Sequence, residues 1–158
     1  MAIQPDSIDL KILRQLAFDA RCSLTSISEH VGLSPTACAR RIQRLETSGV
    51  IRGYLTDIDA AELGYQMCVV VNITLDRQSE EALASFEKAI NRCPDIVSCY
   101  LMSGSNDYLL QVQVRDMADY ERIHKQHLSR MPGVSRIQSS FAMRSVVKRN
   151  ISQAALGA

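Results

Sequence analysis

The chain has 158 residues, with 18 Lys and Arg against 17 Asp and Glu, so its formal net charge is +1. Hydrophobic residues make up 46% and charged residues 22%, which is typical of a globular protein and unlike a disordered one. These figures exclude a uniformly basic coat, so any contact with nucleic acid has to come from a local patch.

The first part of the chain carries a helix-turn-helix pattern. Apolar residues recur at helical spacing over residues 6–19, and a shorter amphipathic stretch covers residues 24–31. Gly32 supplies a turn, and Ser34 caps a third helix predicted over residues 35–48. Two helices, a glycine turn and a helix are the order of a helix-turn-helix.

The remainder of the chain changes character. Residues 50–58 are predicted to be extended, as a candidate wing and connector. The later predicted elements are a strand at 67–75, a helix opened by Ser79, strands at 96–102 and 108–114, a helix opened by Asp116 and continuing to about 131, and a strand from 134 to about 148. The order βαββαβ predicts a ferredoxin-like domain and an α+β fold. Because the first strand is apolar at successive positions, both of its faces should be buried, which predicts a homodimer through the second face.

The third predicted helix separates an apolar face from a basic one. Cys38, Ile42 and Leu45 fall on one side, and most of the basic residues fall on the other. An arginine fork suits guanine's major-groove acceptors or phosphate oxygens, and a solvated surface helix is the alternative. The residues predicted to contact DNA are Ser34, Thr36, Ala37, Arg40, Arg41 and Arg44, with Arg44 as a phosphate contact.

Three segments resemble the Lrp/AsnC family, the feast/famine regulators of bacteria and archaea. They are SLTSISEHVGLSPTACARRIQRLETSGVIRGY at residues 23–54, LMSGSNDYLLQVQVRDMADY at 101–120 and LSRMPGV at 128–134. The resemblance implies a winged helix-turn-helix joined to a ligand-responsive, RAM/ACT-like βαββαβ domain. It also implies homodimers that assemble further into tetramers or octamers, with a small effector, usually an amino acid, bound between dimers. The expected domains are 1–57 for double-stranded DNA, a linker at 58–66, 67–149 for effector binding and oligomerisation, and a tail at 150–158.

By position, the resemblance places the effector site on a loop and two flanking segments. Its residues are Ser103, Gly104, Ser105, Asn106, Asp107, Tyr108, Met117, Ser139, Ser140 and Phe141. Gly104 would permit a turn whose N–H groups hold a carboxylate, and Asp107 would receive an ammonium group. The alternative is a plain hairpin turn, which uses the same residue types. Ser139, Ser140 and Arg144 in the last predicted strand depart from the usual family pattern, so a leucine response is not assumed. Arg40 also departs from it, so the operator sequence is not assumed either.

The cysteines and histidines predict no cofactor and no metal site. The five cysteines have no C-x-x-C spacing and are expected to be reduced core thiols, with a redox-active or metal-binding cysteine as the alternative. His124 and His127 form H-x-x-H without a third ligand nearby in the sequence. We expect packed or interface histidines there, and the alternative is a pH- or ligand-sensitive role.

No catalytic motif is present, so an enzyme is not predicted. The sequence predicts a cytoplasmic, sequence-specific DNA-binding transcriptional regulator that responds to a small effector. No membrane segment or secretory signal is predicted, because the apolar runs are short and the first residues lack a basic head. Two alternatives remain open: an architectural DNA-compacting protein without an effector, and a metabolic regulatory subunit.

Overall fold

The structure is a computed structural model that describes residues 4–147, 155 and 156. It divides into two compact units. One contains the described residues up to 57 together with those from 146 onward, and the other contains residues 58–145. No helix in the described residues has the length and apolar character needed to cross a membrane.

The first unit is built from α1 (Ser7–Phe18), α2 (Leu24–Val31) and α3 (Pro35–Thr47), as the periodicity predicted. Each helix begins where a side-chain oxygen accepts a backbone N–H of the first turn, which satisfies a donor that the helix itself leaves free. The capping residues are Asp6, Ser23 and Ser34. The core contains buried Ile12, Ile27 and Cys38, with partly buried Ile8, Leu16, Cys22, Val31, Leu33 and Ile42 packed around them.

The turn between α2 and α3 depends on Gly32. This residue has φ 72°, a left-handed conformation that costs other L-residues roughly 1–2 kcal/mol. The N–H of Gly32 donates to Ser28 O at 2.9 Å, and the N–H of Leu33 donates to the same oxygen at 3.1 Å. The chain therefore leaves α2 abruptly and enters the cap of α3 at Ser34.

The expected wing does not form a β-hairpin. Residues 50–59 are irregular, and the described residues between α3 and residue 67 contain no strand. An extended segment needs a ladder partner to become a strand, and residues 50–58 pair with no strand that the structure describes. The first unit is thus a helix-turn-helix without a paired wing in the described part of the chain.

The second unit has the predicted βαββαβ order. Its elements are β1 (Met67–Leu75), α4 (Glu80–Ile90), β2 (Ile96–Leu101), β3 (Tyr108–Val114), α5 (Met117–Gln126), one 3-10 turn (Leu128–Arg130) and β4 (Val134–Phe141). The strands form one four-stranded sheet in the order β2-β3-β1-β4, and every ladder is antiparallel.

The sheet has one face covered by helices and one open face. Alternate residues of β1 and β3 on the covered face, among them Val71 and Leu110, are buried in one core with Phe86 of α4 and Ile123 of α5. The opposite face carries half-buried Val70 and Leu109, exposed Tyr100 and several polar residues. Homodimer formation through this open face stays a prediction.

Two elements are shorter than the sequence suggested. α5 ends at Gln126, and a 3-10 turn with buried Leu128 continues its apolar pattern. β4 ends at Phe141, which pairs with Val69 close to the start of β1, so the expected strand after 141 has little of β1 left to pair with. Residue 148, the expected end of that strand, lies outside the described residues.

Candidate DNA interface and effector site

The packing of α3 decides which of its side chains face outward. Cys38 and Leu45 are fully buried, so the side of the helix opposite to them is free. At 100° per residue, that free side is a stripe of four exposed residues. They are Thr36, Arg40, Gln43 and Thr47, and we call them the outer stripe of α3.

Arg41 and Arg44 lie on the flank of α3 that faces α1, where they bind acidic side chains. Arg41 Nη1 lies 2.7 Å from Asp6 Oδ2 and 2.8 Å from Asp9 Oδ1, and Arg44 Nη2 lies 2.6 Å from Asp9 Oδ2. The Asp9 side chain is 0% exposed. Two of the three guanidinium groups that the sequence assigned to DNA are therefore held by carboxylates of the same unit.

The two aspartates also form a capping box at the start of α1. Asp6 Oδ1 accepts the N–H of Asp9 at 2.8 Å, and Asp9 Oδ2 accepts the N–H of Asp6 at 3.0 Å. The Asp9 N–H and the Arg41 guanidinium lower the pKa of Asp6 to about 2. Hydrogen bonds to Asp6 and Asp9 raise the pKa of Arg41. The start of α1 and the flank of α3 are therefore joined by one network of charges.

Arg40 differs from its two neighbours. It is exposed, and it has no hydrogen-bond or ion-pair partner among the described residues. Arg40 lines a shallow cavity with a volume of about 370 Å³, together with Ala37, Arg41 and Arg44. Of the three predicted arginines, Arg40 therefore has the guanidinium that is best placed to meet a duplex.

The remaining residues predicted to bind DNA lie at the start of α3. Ser34 Oγ accepts the N–H of Ala37 at 3.2 Å, so this hydroxyl caps the helix, and its own proton is still available to donate. Thr36 is exposed and Ala37 is half-buried. The sequence analysis missed Gln43, although its place three residues after Arg40 puts it on the same side of the helix.

The loop between β2 and β3 is exposed at the residues expected to hold an effector carboxylate. Ser103, Gly104 and Ser105 are solvent-exposed, and Asn106 is half-buried, with the Thr74 hydroxyl 3.5 Å from its Oδ1. Gly104 is outside the left-handed region, and a Cβ added at this residue would meet no atom within 4 Å. The turn therefore does not require glycine at 104, contrary to the expectation.

Asp107 is hydrogen-bonded to groups of its own unit. Its side chain is buried, Oδ2 accepts the N–H of Leu75 at 2.7 Å, and Oδ1 accepts the side-chain amide of Gln78 at 2.6 Å. The backbone N–H of Asp107 also donates to Ile73 O at 2.9 Å. The carboxylate expected to receive an ammonium group instead fastens the loop to the end of β1.

Tyr108 is a core residue. It is 1% exposed, its ring centroid lies 4.5 Å from that of Phe86, and its hydroxyl donates to Glu87 Oε1 at 2.9 Å. Burial and the Glu87 carboxylate raise the pKa of Tyr108. The Tyr108 side chain packs in the core next to the loop and has no exposed surface for a ligand.

The other expected effector residues lie toward the opposite end of the sheet. Met117 starts α5 and is exposed, and one turn later Tyr120 contacts the Phe141 ring edge-on at 5.2 Å and the Ser139 hydroxyl. Ser140 pairs with Val70 and points to the open face.

The register of β1 gives the distance between the loop residues at 103–108 and the second set of expected effector residues, around Phe141. Phe141 pairs with Val69, and Tyr108 pairs with Ile73, four residues further along β1. At the rise of a β-strand, four residues span about 13 Å. One copy of the unit therefore does not bring the expected effector residues together.

Family models match both units. The AsnC-type helix-turn-helix domain matches residues 6–46, and the Lrp/AsnC ligand binding domain matches residues 68–151.

The chain is similar to named regulators over most of its length. It is 51% identical over 117 residues to an uncharacterized HTH-type transcriptional regulator of Sinorhizobium fredii, covering 74% of this chain and 92% of that protein. It is 43% identical over 145 residues to the Bkd operon transcriptional regulator of Pseudomonas aeruginosa, covering 92% and 95%. Its fold is similar to that of a Neisseria meningitidis transcriptional regulator solved as a complex with L-Met, with TM-score 0.87, 29% identity, and coverage of 92% and 94%.

Replacing Asp9 should loosen the first unit. Asp9→Asn removes the charge that Arg41 and Arg44 share inside the protein, and we expect the unit to lose about 3 kcal/mol of unfolding free energy. Native-state hydrogen exchange of α1 and α3 amides in the full chain measures this loss. Glu29→Gln, an exposed change in α2, is the control and should stay within about 0.5 kcal/mol. Equal protection in the two variants would contradict the structural role of Asp9.

Replacing Asp107 should destabilise the second unit without any ligand present. Asp107→Asn weakens two hydrogen bonds to a buried carboxylate, and the expected cost is about 1.5–3 kcal/mol. Denaturant unfolding and exchange of the Leu75 amide measure it. The neighbouring exposed Asp76→Asn is the control. If Asp107→Asn unfolds like the unmodified protein, the carboxylate is not what holds the loop.

Proposed function

The chain belongs to the Lrp/AsnC family of transcriptional regulators, and from this premise we propose how its two units work. The first unit reads double-stranded DNA through the outer stripe of α3. The second unit binds an amino acid between copies of the chain and transmits its presence to the assembly. The exposed guanidinium of Arg40, beside two arginines already held by carboxylates, is the observation on which the DNA interface rests.

The outer stripe carries groups that read base edges. Arg40 donates two bonds to guanine O6 and N7, and the Gln43 amide pairs with adenine N6 and N7. Thr36, at the start of the helix, is small enough to let the backbone approach the groove. Two copies with paired α3 helices then read half-sites about 10–10.5 base pairs apart, or a multiple of that spacing.

Arg41 and Arg44 position α3 and contribute to the positive electrostatic potential around it. Their charges are balanced in part by Asp6 and Asp9, so the local surface is less basic than the sequence of α3 suggests. The side chain of Arg44 is 45% exposed, so one edge of this guanidinium remains open to a phosphate oxygen. Base reading falls to Arg40, and Arg44 supplies a phosphate contact that fixes the register.

The effector site uses the two separated groups of residues from different copies. Backbone N–H groups at 103–106 of one copy hold the carboxylate of an amino acid. Met117 and Phe141 of another copy provide an apolar wall for its side chain, since both are exposed and lie near Tyr120. An apolar amino acid fits this wall. The complex of the Neisseria meningitidis regulator with L-Met supports this class of ligand.

Assembly follows from the second unit. We propose that residues 67–149 pair two copies through the open sheet face that carries Val70, Leu109 and Tyr100, and that these dimers associate into tetramers or octamers around the effector. Residues 1–57 form the DNA-binding domain, 58–66 the linker and 150–158 the tail. The cytoplasm, where the DNA and reduced thiols are found, is the proposed location, and all five cysteines are free thiols.

Arg40 should control specific DNA binding without affecting stability. Arg40→Ala removes the free guanidinium of the outer stripe, and specific affinity should fall by about 1–3 kcal/mol. Competition gels between a fragment recovered by genomic footprinting and random DNA measure the change in preference. The control is Arg92→Ala, an exposed arginine of the second unit. An unchanged preference in Arg40→Ala would remove Arg40 from the interface.

The apolar wall should control effector affinity. A thermal-shift screen of the twenty amino acids identifies the ligand, with L-Met as the first probe, and calorimetry gives its affinity. Met117→Glu places a charge on the wall and should weaken binding about tenfold, or 1.4 kcal/mol. The control, Ser85→Glu on exposed α4, should bind as before. If none of the twenty shifts the melting temperature, the architectural DNA-compacting alternative gains, and the effector proposal fails.

A further inference from the structure

Three potential metal ligands meet in the second unit at a place that the regulatory function does not use. Cys93 follows the end of α4, Asp95 precedes β2, and His127 ends α5. One ligand atom from each lies within 4.8 Å of the others. His127 belongs to the H-x-x-H motif, whose missing partners lie far away in the chain and are brought close only by the fold.

The donor types are those that zinc prefers. We propose that Cys93, Asp95 and His127 bind a borderline-soft divalent ion, with Zn²⁺ as the natural occupant. Thiolate, imidazole and carboxylate are each side-chain ligands that zinc accepts, whereas hard ions such as Mg²⁺ and Ca²⁺ take oxygen ligands. This proposal is independent of the regulatory function, no step of which depends on a metal.

The distances are compatible with coordination after a small adjustment. A tetrahedral zinc ion with normal bond lengths holds its ligand atoms about 3.3–3.8 Å apart. The three atoms lie within 4.8 Å of one another, so they have to close by at most about 1–1.5 Å. Side-chain rotation provides this movement, because Asp95 and His127 lie outside the regular helices and strands. Both are only half-buried, so a water molecule has access to the fourth position.

The charges at the site balance once the thiol loses its proton. Zinc binding transfers the Cys93 proton to solvent and forms a sulfur–zinc bond, so thiolate and carboxylate together neutralise the divalent ion. Burial raises the pKa of the Cys93 thiol in the absence of metal. Arg122 Nη2 lies 3.4 Å from Asp95 Oδ1 but 2.8 Å from Asp119 Oδ1. Asp95 can therefore turn to a cation while Arg122 keeps its closer partner.

Binding would connect the end of α5 to the turn that leads into β2. β2 is an edge strand of the sheet and carries exposed Val97, Tyr100 and Leu101. The start of β2 is otherwise held by hydrogen bonds between residues close in sequence, such as the N–H of Ile96 donating to Cys93 O at 3.3 Å. A bound ion should thus raise the melting temperature of the second unit, since it binds only the folded arrangement.

Cobalt titration of the full-length, reduced, metal-free protein tests the site. Co²⁺ should bind once per chain and produce the near-ultraviolet charge-transfer band of a cobalt–thiolate bond, and Zn²⁺ should displace it. Cys93→Ser should abolish the band. The control is Cys99→Ser, a half-buried cysteine outside the cluster, which should keep it.

His124 and His127 are three residues apart, and only His127 belongs to the cluster, so substitutions at the two positions serve as test and control. His127→Gln should weaken Zn²⁺ affinity about tenfold or more in a chelator competition, and His124→Gln should leave it unchanged. If Cys93→Ser does not fold, this pair decides the matter. The proposal is overturned if no thiolate band appears, if the band survives in folded Cys93→Ser, or if the two histidine variants bind Zn²⁺ equally.

Discussion

The buried carboxylate of Asp9 is the constraint that organises the DNA-binding unit. A charge without exposure to water has to be paired and hydrogen-bonded inside the protein, or it destabilises the fold by several kcal/mol. Arg41 and Arg44 provide that pairing from α3, and the N–H of Asp6 adds a third contact. With these arginines turned to α1 and Cys38 in the core, the rotation of α3 about its axis is determined. In the proposed interface the outer stripe is therefore the part of α3 left to read bases, and the open edge of Arg44 is left for a phosphate.

A second buried carboxylate has the same effect at the other functional region. Asp107 fastens the loop at residues 103–106 to the end of β1 through Leu75 and Gln78. Both donors are neutral, so they satisfy the carboxylate oxygens by hydrogen bonding. The residues at 103–105 stay exposed, and in the proposed site their backbone groups bind the ligand. In both units, side chains that the sequence assigned to recognition bind groups of their own unit instead: Arg41 and Arg44 in the first, and Asp107 in the second. The contacts to DNA and to an effector are proposed for neighbouring residues.

The sequence predicted the elements well and their partners poorly. Cap residues and periodicity predicted α2 and β1 with the bounds that the structure has, because both signals are local in the chain. The carboxylates that bind Arg41 and Arg44 lie 32 and 35 residues earlier, so no helical wheel of α3 contains them. For the same reason the partners of Asp107 and His127 were missed, and β4 was predicted too long because its length depends on where β1 begins. Gln43 could have been predicted from the sequence, because its spacing of three residues from Arg40 places both on the same side of a helix.

The separation of the effector residues carries a thermodynamic consequence for the proposed regulator. If the loop at 103–106 and the wall at Met117 and Phe141 meet only between copies, then the ligand binds the assembled form and has no complete site on a single copy. Such a ligand must favour assembly, and assembly must in turn raise ligand affinity by the same factor. A coupling of about 1–3 kcal/mol then changes the population of assembled protein by about 5–150-fold. The ligand need not touch α3 to alter DNA binding, because the number and spacing of paired α3 helices change with the assembly.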